Sequence, residues 1–150
     1  NVAEIKKRMG VQTIGHDKLN QMRHVRFLKD ADGIAAHMAK HASIIRPKFE
    51  LVLKMLEEGL AGTGCGSWSN PRGGYFVSFD APEGTAKHIV AMAKEAGVTM
   101  TGAGATYPYK NDPKDSNIRI APTPLEELES ALKVFVCCVK LASVEKLLEA

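Results

Sequence analysis

Aromatic residues are scarce in this chain, 6% of 150 residues, and only Phe27 and Phe49 fall in the basic first third, too few for an interleaving of aromatic and basic groups. A stacking platform for single-stranded nucleic acid needs that interleaving, so a nucleic-acid role is not expected. No apolar run approaches the roughly 18–20 residues that span a bilayer, which excludes a membrane helix. Asn1-Val2-Ala3-Glu4-Ile5 is followed by lysines rather than an apolar stretch, so it does not read as a signal peptide. Cysteine is limited to Cys65 and the adjacent pair Cys137-Cys138, with no Cys-x-x-Cys spacing. Adjacent cysteines on a helix point about 100° apart and pair poorly. A reduced, cytoplasmic protein is expected. Three catalytic signatures are also absent: a Gly-x-Ser-x-Gly elbow, a Gly-Lys-Ser/Thr after the glycines at 62, 64 and 66, and a Glu completing the His37/His41 pair as a metalloprotease motif.

What is present suits one globular domain over 1–150. The mass is 16.3 kDa, with 45% hydrophobic and 25% charged residues. Net charge is only +3, but residues 1–50 carry ten Lys/Arg, five Asp/Glu and four of the five His. A solvated helical surface explains that bias better than an anionic partner.

Periodicity gives the elements. A helix is expected over 2–9, stopped by Gly10, and a second one capped by Asp17. Ile34, Met38, Ala42, Ile45, Phe49, Val52, Leu53, Leu56 and Leu60 repeat at three and four, a helix started by Asp30 or Asp32 and kinked or broken near Pro47. The glycines at 62, 64 and 66 read as its stop and hinge. Strands are expected over 67–69, 74–80, 98–101 and 118–121, with a turn at Asn70-Pro71-Arg72-Gly73. Tyr75, Val77 and Phe79 would share one face. A helix over 85–96 stops at Gly97, with Ile89, Met92 and Ala96 as its stripe. The last helix has Thr123 as N-cap, Pro124 at its first position and Glu126-Glu127 in its first turn. Leu125, Leu128, Leu132, Phe135, Val139 and Ala142 run down one side. The class is α+β, a small sheet of about four strands covered by helices on one side.

Few residues read as chemical. His37 and His41 have chelating spacing but no evident third ligand, so surface histidines are expected and no metal site. Cys65 has no assignable base, and Asp80 and Glu83 suit turn roles. Arg119 stands out. It lies between Ile118 and Ile120, so it leaves the opposite face of a rigid strand, and the long polar loop 102–117 precedes it. Its planar fork suits a carboxylate. An exposed strand arginine or a structural ion pair fits the same pattern.

Five blocks then carry a resemblance: Val11-Gln12-Thr13-Ile14-Gly15-His16-Asp17-Lys18-Leu19-Asn20-Gln21-Met22-Arg23-His24; Arg46-Pro47-Lys48-Phe49; Pro71-Arg72-Gly73-Gly74-Tyr75-Phe76-Val77-Ser78; Gly102-Ala103-Gly104-Ala105-Thr106-Tyr107-Pro108-Tyr109; and Asn117-Ile118-Arg119-Ile120-Ala121-Pro122. In that order they resemble the C-terminal small domain of fold-type-I, pyridoxal-phosphate-dependent aminotransferases, in particular the bacterial aspartate aminotransferases of subgroup Ic. The first and third blocks are specific together, while Gly-Gly-Tyr-Phe alone is common to many aminotransferases. The resemblance covers essentially the whole chain.

The resemblance implies amino-group transfer between an amino acid such as aspartate and a 2-oxo acid, with pyridoxal phosphate as electron sink. It implies that Arg119 binds the substrate α-carboxylate and that Gly73 and Gly74 lie beside the cleft. Lys18, Asn20 and Arg23 fall in a segment near the active-site mouth and the interface of a homodimer. Residues 1–28 would link to an absent large domain, and 29–150 would form the small domain. The family's Schiff-base lysine lies upstream of the segment matching Asn1. No catalytic residue is therefore expected in this chain. The cofactor should not attach to it, and alone it should be inactive. The alternative is a stand-alone α+β module in which Arg119 grips a carboxylate metabolite.

Overall fold

The computed structural model describes residues 1–122 and 125–149, the side chains of Leu125 and Glu126 excepted. The expected cap Thr123, Pro124 and the side chain of Glu126 thus lie outside the described residues. The elements are α1 Val2–Gln12, α2 Lys18–Leu28, α3 Ala31–Leu60, β1 Ser67–Trp68, β2 Val77–Asp80, α4 Ala86–Glu95, β3 Asn117–Ile120 and α5 Leu125–Glu149. Two compact units divide the chain, Asn1–Ser43 and Ile44–Ala150.

The first unit is built from α1, α2 and the start of α3. The Asp17 carboxylate accepts the Asn20 N–H at 2.9 Å and caps α2. Asp30 caps α3 by accepting the Gly33 N–H at 2.8 Å. Gly33 has no room for a Cβ, which would meet the Leu28 carbonyl. Gly10 does not stop α1. The helix continues to Gln12, because Gly10 keeps a negative φ and Thr13 closes the last turn on the Met9 carbonyl at 2.8 Å. No residue of this unit is buried.

Pro47 also fails to break its helix, since α3 is one element across it. Proline removes one N–H and with it one helical bond, to the carbonyl four residues earlier. That carbonyl belongs to Ser43, where the two units divide.

The second unit holds the core. Phe49, Val52, Leu56 and Leu60 of α3 meet Val77 and Phe79 of β2, Ile118 and Ile120 of β3, Ala86, Ile89 and Ala93 of α4, and Leu128, Leu132, Phe135, Val139 and Ala142 of α5. Phe79 meets Phe135 edge-on at 5.2 Å between ring centres. The class is α+β as expected, with helices on the apolar face of an antiparallel sheet ordered β1-β2-β3. Trp68 pairs with Phe79, Ser78 with Arg119 and Asp80 with Asn117.

Three details correct the sequence reading. The sheet has three strands among the described residues, not four, since 98–101 forms no ladder. Val98 instead closes the end of α4 on the Ala93 carbonyl at 2.8 Å, and Val98 and Met100 pack half-buried on the core. This segment, β3 and α5 line a cavity of about 590 Å³. Second, β2 begins at Val77, because Gly74 takes a φ of +88° and the turn extends past it; Tyr75 stays exposed and does not join Val77 and Phe79. Third, Ala86 and Ala93 rather than Ala96 accompany Ile89 in the core. Among the described residues no helix is long and apolar enough to cross a membrane.

Candidate functional site

Arg119 sits on β3 between Ile118 and Ile120, both buried in the core. Alternation sends its side chain to the other face of the sheet. There its guanidinium carbon lies 4.3 Å from the centre of the Phe76 ring. Such stacking fixes the plane of the fork. The Arg119 Nε is buried and has no hydrogen-bond partner. An unpaired buried donor costs about 1–3 kcal/mol, so the arrangement favours an acceptor from outside. A carboxylate presents two oxygens that match the fork.

Gly73 and Gly74 stand at the start of the segment that carries Phe76. A Cβ at either would meet nothing within 4 Å, and Gly74 holds a φ of +88°. The chain thus turns through open space at Gly74, and Phe76 follows to cover Arg119. Lys18, Asn20 and Arg23 are exposed residues of α2 in the first unit. The Lys18 ammonium donates to the Gln21 amide oxygen at 3.4 Å, and the Asn20 carbonyl bonds the His24 ring at 2.8 Å.

Behind Arg119 lies a polar network that the sequence reading did not single out. Asn117 is buried, and its Nδ2 donates to Ser78 Oγ at 2.9 Å and to Asp80 Oδ1 at 2.8 Å. Its Oδ1 accepts from Thr106 Oγ1 at 2.6 Å. Asp112 accepts from the backbone N–H groups of Lys114 at 3.0 Å and of Ser116 and Asn117 at 2.8 Å each. The Asn117 N–H is the leading cause that holds the Asp112 carboxyl below the usual carboxylate value, and the Ser116 and Lys114 amides add to it against the desolvation of burial. Gly104 has a φ of +73°, and a Cβ there would meet the Lys110 carbonyl at 2.8 Å. The loop 102–116 is therefore folded on Asn117. The signal available in sequence was the two-residue step between Asn117 and Arg119, which puts them on one strand face.

The remaining candidates take structural places. His37 and His41 stack edge-on at 4.5 Å, with Phe27 edge-on to His37 at 5.1 Å. Among the described residues no group of three His, Cys, Asp or Glu is placed to hold a metal ion. Gly62 and Gly64, at φ of +72° and +74°, stop α3. The Cys138 thiol is pushed up by burial and, after that, by its neighbour Cys137. A Schiff-base lysine needs a desolvated site. Every lysine described here is exposed except half-buried Lys48.

The family model described as aspartate amino-transferase matches residues 1–150. A Mycolicibacterium smegmatis protein provisionally named as an aminotransferase is 48% identical over 99% of this chain and 35% of its own length. An aspartate aminotransferase of Corynebacterium glutamicum is 46% identical over 91% of the chain and 32% of its own length. The chain thus spans about a third of these curated relatives. The crystal structure of a provisionally named aminotransferase from Corynebacterium diphtheriae superposes with a TM-score of 0.88, at 46% identity, over 97% of this chain and 36% of that one.

Proposed function

The chain belongs to the aspartate amino-transferase family, and on that premise we propose that it forms the substrate-carboxylate side of an enzyme that moves an amino group from an amino acid such as aspartate to a 2-oxo acid. Arg119 receives the α-carboxylate common to both substrates. Gly73 and Gly74 leave the cleft open beside it. Lys18, Asn20 and Arg23 stand at the active-site mouth, where their polar and basic groups favour an acidic substrate side chain. Residues 1–28 lead from the large domain and 29–150 form the small domain of a cytoplasmic homodimer. Pyridoxal phosphate enters this reading through the family resemblance, and no lysine described here is its anchor.

One observation supports the role of Arg119. Its Nε is buried without a partner while its plane is fixed over Phe76. A carboxylate would satisfy that donor. The test is Arg119→Ala in the full-length enzyme, assayed with aspartate and 2-oxoglutarate. Loss of the grip should cost about 3 kcal/mol, on the order of a hundredfold in kcat/KM. An unchanged kcat/KM would remove Arg119 from the site. Carboxylate binding without any amino transfer by the full-length protein would favour the stand-alone binding module.

A further inference from the structure

We infer that Asn117 is a positioning residue for Arg119, an inference that rests on reading Arg119 as the carboxylate-binding group. The two residues alternate on β3 and share the face opposite Ile118 and Ile120. The residue opposite Arg119 in the ladder is Ser78, and the residue opposite Asn117 is Asp80. The Asn117 amide bonds both, so it ties β2 to β3 diagonally across the position from which Arg119 projects. The same side chain receives the Thr106 hydroxyl, and the Asn117 carbonyl receives the Gly104 N–H at 3.1 Å. Strand β2, strand β3 and the long loop are therefore fixed together at one buried residue, two places from the arginine.

Arg119 needs such support. Its Nε has no partner of its own, so the direction of the fork depends on the strand beneath it and on Phe76. Bidentate recognition tolerates about 0.5 Å of misplacement. Asn117 touches no reacting atom in this account and acts only through Arg119.

The hydrogen-bond polarity of the network supplies the test. Asn117→Asp sets a carboxylate against Asp80 and removes both Nδ2 donors. Adding Asp80→Asn restores the pair with donor and acceptor exchanged, and Ser78 can donate its hydroxyl instead of accepting. Each variant is measured in the full-length, cofactor-loaded enzyme. Asn117→Asp should raise KM for the amino acid and for the 2-oxo acid by the same factor, about tenfold or more. The shared carboxylate requires that equality, and the preference between aspartate and other amino acids should not move. The exchanged double variant should recover most of the loss. Thr106→Val removes a single exposed tether and provides a folded variant whatever the fate of Asn117→Asp. It should raise both KM values in the same ratio. A fall in Tm with KM unchanged in the folded variants would overturn the inference, as would a double variant that recovers nothing. Arg119→Lys, measured alongside, separates the two ideas. If it leaves KM unaltered, the carboxylate reading itself fails. If it raises KM while Thr106→Val and Asn117→Asp do not, only the positioning role fails.

Discussion

Asp112 shows how a single loop residue can organise a site it does not enter. It accepts three backbone N–H groups, and one belongs to Asn117. Those bonds hold its folded-state carboxyl below the ordinary value. A depressed carboxyl stabilises the fold at pH values above the unfolded-state pKa. That contribution is lost as pH falls through the folded-state pKa. Thermal unfolding followed from pH 7 down to about pH 3 should therefore show Tm declining at the acid end. Asp112→Asn should lower Tm at neutral pH and flatten the acid decline, because an amide cannot replace both accepting oxygens. A variant that keeps the neutral Tm and the full acid decline would show that Asp112 is not the group responsible. None of this was legible in sequence. Asp112 stands in a polar stretch where any of several acidic or amide residues could organise the turn, and only the folded backbone selects one. Arg119 was legible because its neighbours Ile118 and Ile120 fix the face it leaves. Its unpaired Nε was not, since a missing partner is a property of three-dimensional surroundings.

Helices and strands differed in how well their patterns predicted them. The stripes of α3 and α5 recur over many turns, so one misplaced residue does not alter the reading. Strands are short, and apolar alternation at Val98 and Met100 describes packing as well as it describes a ladder. A ladder also needs a neighbour, which local sequence does not specify. The contact between α3 and α5 is a further case. Gly59 lies inside α3, where glycine costs about 1 kcal/mol relative to alanine. A Cβ there would stand 2.7 Å from Val136 Cγ1 of α5. Close approach of two helices therefore outweighs propensity. Gly59→Ala should destabilise the chain despite the better helix former, by about 1–3 kcal/mol from overpacking. Combining it with Val136→Ala should recover part of that loss, and urea denaturation of the four-member cycle reads the coupling directly. A stabilising Gly59→Ala would mean that the helices are not in contact at this point.

The contrast between the two units carries consequences for the molecule as a whole. Ile44–Ala150 has a continuous core drawn from α3, α4, α5 and the sheet. Asn1–Ser43 has none: Val2, Ile5 and Met9 on α1 and Leu19, Met22 and Val25 on α2 are all exposed although their spacing is that of apolar stripes. Helices of 11 residues, such as α1 and α2, are marginal in water without tertiary packing. Local stability follows buried apolar contact. Amide hydrogen exchange on the 150-residue chain should therefore divide near Ser43. Residues 1–43 should exchange within the first time points, while the cores of α3 and α5 and strands β2 and β3 exchange only through global opening. Exposed stripes of this kind are what a larger protein covers, and the chain spans about a third of its curated relatives. In the full-length enzyme proposed above, the same amides of α1 and α2 should gain protection. Equal protection across 1–43 and α5 in the isolated chain would show that the first unit is stable on its own contacts, and the exposed stripes would then need another explanation.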